Sequence, residues 1–322
     1  MDGGESVVEE ASLPLRPRLK PWYRVSAGGG GTVLRYGGSV LEFEGRAASR
    51  LLPHLLPLLD GTRTVDEIVS GLGEPIRPAV EHALRVLDGR NLLTDAAPAG
   101  LDPEPSRTAE FLAATDPAGR AAASIVETLG RARACVVGTS AVAELANGLL
   151  ADAGLRRVQR LGWDEPAPGG ALALVAPSGE EVPLVSGWNL RALAAGTTWL
   201  QVLPFDGMLA AVGPIFVPSE SACHECYRLR RAANIAPVRD TAAGEYPGAP
   251  ALDVVLAGLA ATIALRRLAL ADGLSVGVLL AVEQALVCSR HVVYRVPRCP
   301  ACSRAAALAA PVPWEGVAGR AA

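Results

Sequence analysis

The sequence predicts an α/β domain with a mostly parallel sheet and a structural metal site, preceded by a small α+β module of the winged-helix type. Three observations lead to this fold class. Three short strand patterns precede three helical patterns within the first hundred residues, strand and helix patterns alternate after residue 109, and two C-x-x-C pairs stand in the second part. A length of 322 residues suits two domains with separate cores.

Composition and charge narrow the classes of function. Half of the residues are hydrophobic and the net charge is −3, so no basic excess favours a nucleic-acid partner. The acidic start from Met1 to Ala11 resembles neither a secretory signal nor a transit peptide. The most apolar segment, Val254 to Leu265, is shorter than the ~20 residues that span a bilayer. We therefore expect a cytoplasmic protein with no membrane partner, and paired cysteines fit a reducing compartment.

The first module is expected over residues 20–95, after a flexible N-terminus over residues 1–19. Two strands flank the glycine run at 28–31, and Ser39 to Glu44 alternates apolar and polar residues as a third strand does. A helix over 46–59 contains two prolines, which either lie in its first turn or mark a break between two short helices. Thr64 with Glu67 forms the capping-box pattern of a second helix, and residues 75–88 carry the apolar stripe of a third.

A Pro-rich stretch over residues 96–108 predicts a linker to the second domain, which is expected over residues 109–310. That domain begins with helical residues 109–130, interrupted at Asp116-Pro117, and an apolar strand over 132–137. A helix over 144–153 and further strands over 171–176, 198–203 and 209–212 follow. This alternation predicts the mostly parallel sheet. Residues 311–322 are expected to be a flexible tail.

Four cysteines form the two C-x-x-C pairs, Cys223 with Cys226 and Cys299 with Cys302. Four thiolates are the ligand set of a closed structural Zn²⁺ site, which here would clamp two remote segments of one domain. The alternative is a pair of redox motifs or buried free thiols. His224 lies inside the first pair and is expected to be exposed, because four thiolates leave it no ligand role.

No set of acid, base and nucleophile is recognisable elsewhere. Cys135 and Cys288 lie in apolar segments and are expected to be small buried hydrophobes. Three histidines are isolated on helix or strand patterns: His54, His82 and His291. Three arginines after the first cysteine pair indicate a solvated helix face rather than a phosphate site: Arg228, Arg230 and Arg231.

The segments FVPSESACHECYRLRR and HVVYRVPRCPAC resemble the zinc-binding part of ThiF/E1-like adenylating enzymes, such as those of thiamine and molybdopterin biosynthesis. The resemblance implies a Rossmann-type domain with a glycine-rich nucleotide loop after its first strand. Here that loop reads Gly138, Thr139, Ser140 and lacks the later glycines of G-x-G-x-x-G. Gly162 stands where a ribose-binding Asp belongs, with Asp164 two residues later. The resemblance therefore implies a degenerate domain that does not bind ATP.

The segment after Ala176 should carry further ATP and Mg²⁺ ligands on this resemblance. It reads PSGEEVPLVSGWNLR, in which Asn189 and Arg191 match only weakly.

Degenerate domains of this kind behind a PqqD-like recognition element resemble the partner proteins of YcaO-type cyclodehydratases, in the biosynthesis of thiazole/oxazole-modified (thiopeptide-type) peptides. The resemblance implies a non-catalytic subunit that captures the leader of a ribosomal precursor peptide. It would deliver the precursor to a separate ATP-dependent enzyme, which forms azolines from Cys, Ser or Thr. Structural Zn²⁺ and a possible homodimer belong to this expectation. An active adenylating enzyme for a peptide or carrier-protein carboxylate and a bare peptide adaptor are the alternatives.

On the same resemblance, the leader adds as a strand beside the third strand of the module and against its third helix. The implied strand residues are Ser39, Val40, Leu41, Glu42, Phe43 and Glu44. The implied helix residues are Arg77, Val80, Glu81, Leu84 and Arg85. Val80 and Leu84 suit the core of the module equally well, whereas the two arginines are candidates to meet acidic leader residues. The Pro-rich stretch over 310–316, with Trp314, is either a docking segment or a disordered tail.

Overall fold

The computed structural model describes residues 13–28, 31–97, 100–234, 249–283, 285 and 287–303. The chain divides into two compact units, Met1–Glu127 and Thr128–Ala322.

The first unit begins with four strands and continues with short helices. The strands are β1 (Pro17–Leu19), β2 (Arg24–Gly28), β3 (Gly31–Tyr36) and β4 (Ser39–Phe43). The helices are α1 (Arg46–Arg50), α2 (Leu52–Leu55) with a 3₁₀ turn at Leu56–Leu58, α3 (Val65–Leu72) and α4 (Arg77–Gly89). Strand β5 (Leu93–Asp95) and helix α5 (Pro103–Thr115) follow. Strands β2, β3 and β4 form an antiparallel sheet in that order, and β1 pairs with β5.

Local sequence signals explain the helices of this unit. The prolines of the expected 46–59 helix divide it into α1, α2 and the 3₁₀ turn, which is one of the two arrangements that the sequence allowed. The capping box of α3 is present, since the N–H of Thr64 donates to Glu67 at 2.7 Å and the N–H of Glu67 donates to Thr64 at 3.3 Å. Helix α4 turns its apolar stripe into the core beside residues of β3, α2 and α3.

Two expectations for segment boundaries need correction. Residues 17–19, expected in a flexible N-terminus, form β1 and pair with β5. Residues 103–108, expected in a linker, form the first half of α5, because Pro103 in the first turn has the backbone angle of a helix start and needs no N–H partner there. Prolines near a helix start therefore gave the segment its linker-like composition.

The second unit is built on a seven-stranded sheet flanked by long helices. Helix α6 (Ala122–Arg131) contains the boundary between the two units and leads into β6 (Ala134–Val137). The elements α7 (Ala141–Asp152), β7 (Val158–Leu161), β8 (Leu172–Val175), α8 (Leu184–Ala195) and β9 (Trp199–Leu203) follow. The chain continues as β10 (Leu209–Phe216), α9 (His224–Asn234), α10 (Pro250–Leu270), β11 (Val278–Glu283) and β12 (Cys288–Val292).

The sheet order is β12-β11-β10-β9-β8-β6-β7. Strands β7, β6, β8 and β9 are parallel, but β10, β11 and β12 are added antiparallel. The sheet is thus mixed rather than mostly parallel as expected. Strands β10 and β12 turn back directly beside β9 and β11, and β11 runs antiparallel to β10 although α9 and α10 connect them. Among the described residues, no helix has the length and apolar character needed to cross a membrane.

Candidate functional site

The four paired cysteines converge on one point in the second unit. Their sulfur atoms all lie within 4.8 Å of one another. The Sγ of Cys223 is 3.8 Å from that of Cys226 and 3.7 Å from that of Cys299, and Cys226 is 3.5 Å from Cys302. A tetrahedron with Zn–S bonds of ~2.3 Å has sulfur–sulfur edges of ~3.8 Å. The cluster can therefore hold a metal ion, and its spacing matches a tetrahedral thiolate site.

Two segments far apart in sequence supply these sulfurs. Cys223 and Cys226 lie at the start of α9, and Cys299 and Cys302 lie in the turn after β12. Arg230 of α9 ties the segments together outside the cluster, since its guanidinium donates to the carbonyl oxygens of Tyr294 at 2.6 Å and Arg295 at 3.0 Å. The sulfur cluster and these hydrogen bonds both hold the segment after β12 against α9.

His224 is buried, which corrects the expectation that it is exposed. The Nδ1 of its ring is 2.5 Å from Oε1 of Gln201, and its backbone N–H donates to Oδ1 of Asn189 at 3.1 Å. Gln201 is also buried and donates to the carbonyl of Gly213 at 3.2 Å. Burial lowers the pKa of His224 to about 4, so the ring is neutral at physiological pH. A neutral histidine thus anchors the first cysteine pair to strand β9 and helix α8.

The burial and close spacing of the four cysteine side chains favour binding of a cation. Burial raises the pKa of Cys302 to about 11 and that of Cys223 further still. The Sγ of Cys226 accepts the N–H of Val296 at 3.3 Å, one of the contacts that lower its pKa against the effect of burial. Four thiolates at this separation repel one another, and a divalent cation offsets both that repulsion and the cost of burial.

The loop after β6 occupies the edge of the sheet where Rossmann-type folds place a ligand. Gly138 has φ of +109°, and a Cβ there would lie 2.1 Å from the carbonyl oxygen of Ala176, so a glycine is required. Ser140 caps α7 by accepting the N–H of Ala143 at 3.1 Å. The loop therefore keeps the tight turn of a nucleotide loop.

Glu181, in the segment after β8, accepts hydrogen bonds from this loop. Its Oε2 accepts the N–H of Thr139 at 2.8 Å and the N–H of Ser178 at 2.9 Å, while its Oε1 accepts the indole N–H of Trp163 at 2.8 Å. Partial burial acts to raise the pKa of Glu181, but the hydrogen bonds outweigh it and hold the pKa below its ordinary range. An internal carboxylate thus links the loops after β6, β7 and β8.

Asn189 and Arg191, the two weak matches to nucleotide-binding residues, make contacts within the protein. Asn189 is buried and holds the N–H of His224, and Arg191 donates to the carbonyl of Trp163 at 2.5 Å. Arg228 pairs with Glu225 at 3.1 Å. Arg231 pairs with Asp206. The arginines of α9 are therefore engaged in contacts within the protein.

In the first unit, β4 is an edge strand of the three-stranded sheet. Val40 is 54% exposed, while Leu41 and Phe43 pack partly against the core. The guanidinium of Arg90, at the end of α4, lies over the Phe43 ring at 4.8 Å from its centroid. The C-terminal ends of β4 and α4 therefore lie side by side.

Side chains of α4 divide into core and surface. Val80 and Leu84 are fully buried in the core of the unit, which agrees with the packing role that the sequence allowed for them. Arg77 lies 2.6 Å from Glu74, 2.8 Å from Asp66 and 3.6 Å from Glu81, so its charge is already neutralised. Arg85 is exposed and makes no ion pair with a described residue.

The remaining predicted residues have ordinary surroundings. Cys135 is fully buried in β6 as expected, whereas Cys288 is exposed on the edge strand β12. This corrects the expectation for Cys288, which followed from its apolar neighbours in sequence. Ser39, Glu42 and Glu44 are exposed on or next to β4. The stretch over 310–316 lies outside the described residues.

Comparisons with known proteins identify the fold. No family model matches the chain, and no curated protein matches its sequence. A solved heterocyclase in complex with substrate and cofactor matches 89% of this chain with a TM-score of 0.65 and 23% identity. The heterocyclase TruD matches 90% with a TM-score of 0.64 and 23% identity. Escherichia coli MccB, solved with AMPCPP and SeMeT MccA, matches 89% with a TM-score of 0.61 and 12% identity.

The covered shares differ between these neighbours. The chain covers 99% of the MccB structure but 39% and 43% of the two heterocyclases. At these identities the matches define the fold: a mixed α/β chain with the architecture that the heterocyclases and MccB share.

Sequence reasoning did not identify three residues of these sites. Glu181 was read only as part of a weak ligand segment, although Ser178 three residues earlier gives the S-x-x-E pattern of a capping box. Gln201 and Arg90 carry no local signal, because their partners are remote in sequence.

Proposed function

We propose that this chain is the leader-peptide-binding partner subunit of a YcaO-type, ATP-dependent cyclodehydratase that forms azolines in a ribosomal precursor peptide. The first unit captures the leader and the second unit is a non-catalytic scaffold held by structural Zn²⁺. The fold shared with two heterocyclases and with MccB supports the assignment to this kind of biosynthesis.

The observation that carries the proposal is the open edge of β4. The strand pairs with β3 on one side only, in the register Tyr36 with Ser39 and Arg35 with Val40. Because hydrogen-bonded and non-hydrogen-bonded pairs alternate from the two-residue turn, the N–H and C=O of Val40 and Glu42 point away from β3. A leader in extended conformation can pair with these groups and place alternate side chains toward Leu41 and Phe43.

Charges around α4 suggest which leader residues are selected. Three carboxylates surround the single guanidinium of Arg77, so the start of α4 is acidic. Arg85 and Arg90 make the end of the helix basic, and Arg90 lies directly over Phe43 of the edge strand. We therefore expect acidic leader residues to bind near Arg85 and Arg90, and not near Arg77.

The test of this function is leader binding by edge variants of the full chain. The affinity is measured by the fluorescence anisotropy of a labelled leader, whose sequence is sought in a short precursor gene near the gene for this chain. Val40→Pro removes an outward N–H and blocks strand addition, so the affinity should fall at least about tenfold. Val25→Pro is the matched control, because Val25 pairs with Leu34 on the opposite edge and its N–H also points outward. Equal loss in both variants, or in neither, would refute binding at β4.

The alternative function, adenylation of a peptide or carrier-protein carboxylate, is disfavoured by Glu181. Its carboxylate takes the N–H of Thr139, a donor that a phosphate would need, and brings negative charge to the loop. Magnesium-dependent binding of ATP to the isolated chain, with pyrophosphate exchange, would establish the alternative. The proposal predicts neither.

A further inference from the structure

Three arginines surround a hollow at the N-terminal ends of strands β6 and β7. The loops that Glu181 joins lie at the other, C-terminal, ends of these strands. Arg133 immediately precedes β6, and Arg156 and Arg157 immediately precede β7. The hollow has a volume of about 510 Å³, and Val158 and Pro168 contribute to its walls.

The strand ladder fixes two of these arginines side by side. Strands β6 and β7 are parallel with Ala134 opposite Val158, which places the preceding residues, Arg133 and Arg157, at the same level. The N–H of Ala134 donates to the carbonyl of Arg157 at 3.0 Å, and the N–H of Leu172 donates to the carbonyl of Arg133 at 3.0 Å. Both backbones are thus held about one strand spacing, ~4.8 Å, apart.

The charge of this cluster is not neutralised by the part of the chain that the structure describes. All three side chains are exposed, and none pairs with a described carboxylate. Other arginines of the same unit do pair, including Arg228 with Glu225 and Arg266 with Asp272. Adjacent like charges cost free energy, and the cost falls when an anion binds between them. The local excess is positive although the whole chain has a net charge of −3.

We propose that this hollow binds an acidic segment of a partner polypeptide, with carboxylates paired to Arg133, Arg156 and Arg157. Guanidinium groups bind carboxylates in a bidentate manner, and the apolar walls suit the side-chain stems between them. A lone phosphate is a poorer fit, since the N–H of Ala134 is engaged with the carbonyl of Arg157 and a single anion spans less of the hollow than a chain of carboxylates does. The net negative charge disfavours a nucleic acid. This site is separate from β4 and does not depend on leader binding there.

The test uses the full chain and fluorescein-labelled hexaglutamate at low salt, followed by anisotropy. Arg133→Gln/Arg157→Gln should weaken binding at least about tenfold, and added salt should weaken wild-type binding steeply. Arg24→Gln/Arg50→Gln is the matched control, since it removes the same charge from exposed positions and should leave the affinity unchanged. Arg133→Lys/Arg157→Lys keeps the charge and should retain part of the affinity.

Three results would overturn the proposal. They are equal weakening in the Arg133/Arg157 and Arg24/Arg50 variants, no weakening in either, and tighter binding of a thymidine dodecamer or of inorganic phosphate than of hexaglutamate. Circular dichroism melts of each variant exclude unfolding as the cause. If the glutamine variant unfolds, the lysine variant decides: its binding must exceed that of a variant with Glu at both positions.

Discussion

Replacing Glu181 with Gln tests the arrangement at the strand-end loops most sharply. The carboxylate accepts three hydrogen bonds, from Thr139, Ser178 and Trp163, at 2.8–2.9 Å. A hydrogen bond to a charged group contributes about 1.5–3 kcal/mol when it is buried. Glu181 is only partly buried, and solvent screening reduces each contribution to roughly 0.5 kcal/mol. We therefore expect Glu181→Gln to lower the free energy of unfolding at neutral pH by about 1–2 kcal/mol.

The effect of Glu181→Gln on stability should depend on pH. The pKa of Glu181 is lower in the folded protein than in the unfolded chain, so its stabilisation is present at neutral pH. It is lost as the pH falls through the folded-state pKa. Denaturant unfolding of wild type and variant should therefore differ at pH 7 and converge in acid.

Glu180→Gln is the control, because Glu180 is the exposed neighbour and accepts no hydrogen bond from the loops. It should behave as wild type at every pH. A Glu181→Gln variant as stable as wild type at pH 7, or a constant difference down to acid pH, would refute the link between the loops.

Three further predictions concern the metal, the turn and the leader. Chelation should unfold the second unit, because a structural zinc site contributes about 10–16 kcal/mol, comparable with the whole stability of a domain. Leader binding by the first unit should survive chelation. Loss of leader binding together with unfolding of the second unit would contradict this prediction. Gly138→Ala should destabilise the second unit by at least about 2 kcal/mol in denaturant unfolding, since the new Cβ meets the Ala176 carbonyl at 2.1 Å. Arg85→Glu/Arg90→Glu should weaken an acidic leader about tenfold in anisotropy while Arg77→Gln changes little; the reverse order would contradict the charge assignment.

Patterns local in sequence predicted much of the fold. The capping box at Thr64, the proline breaks after Arg50 and the helix stripe of α4 each depend on residues within one or two turns. The C-x-x-C pairs were equally readable, because their spacing fixes two ligands on each segment. These features needed no knowledge of which strands pair.

Features that depend on remote contacts were missed. His224 was expected to be exposed because four thiolates leave it no ligand role, but Gln201 and Asn189 give it hydrogen-bond partners in the interior. The antiparallel strands β11 and β12 carry no strict alternation of apolar and polar residues, and the exposed edge position of Cys288 follows from their pairing. A degenerate glycine motif indicated weakened nucleotide binding, whereas the carboxylate of Glu181 that occupies the loop is visible only in the folded chain.

We propose that this chain captures a leader and activates a separate cyclodehydratase without catalysing a reaction itself. Mass spectrometry of the precursor peptide, after incubation with the YcaO-type enzyme and Mg-ATP, measures this through the loss of one water per ring formed. The account predicts rapid ring formation when the chain is present, a large loss of rate with Val40→Pro, and wild-type rate with Val25→Pro. Equal rates with and without the chain, or ring formation by the chain alone, would contradict it.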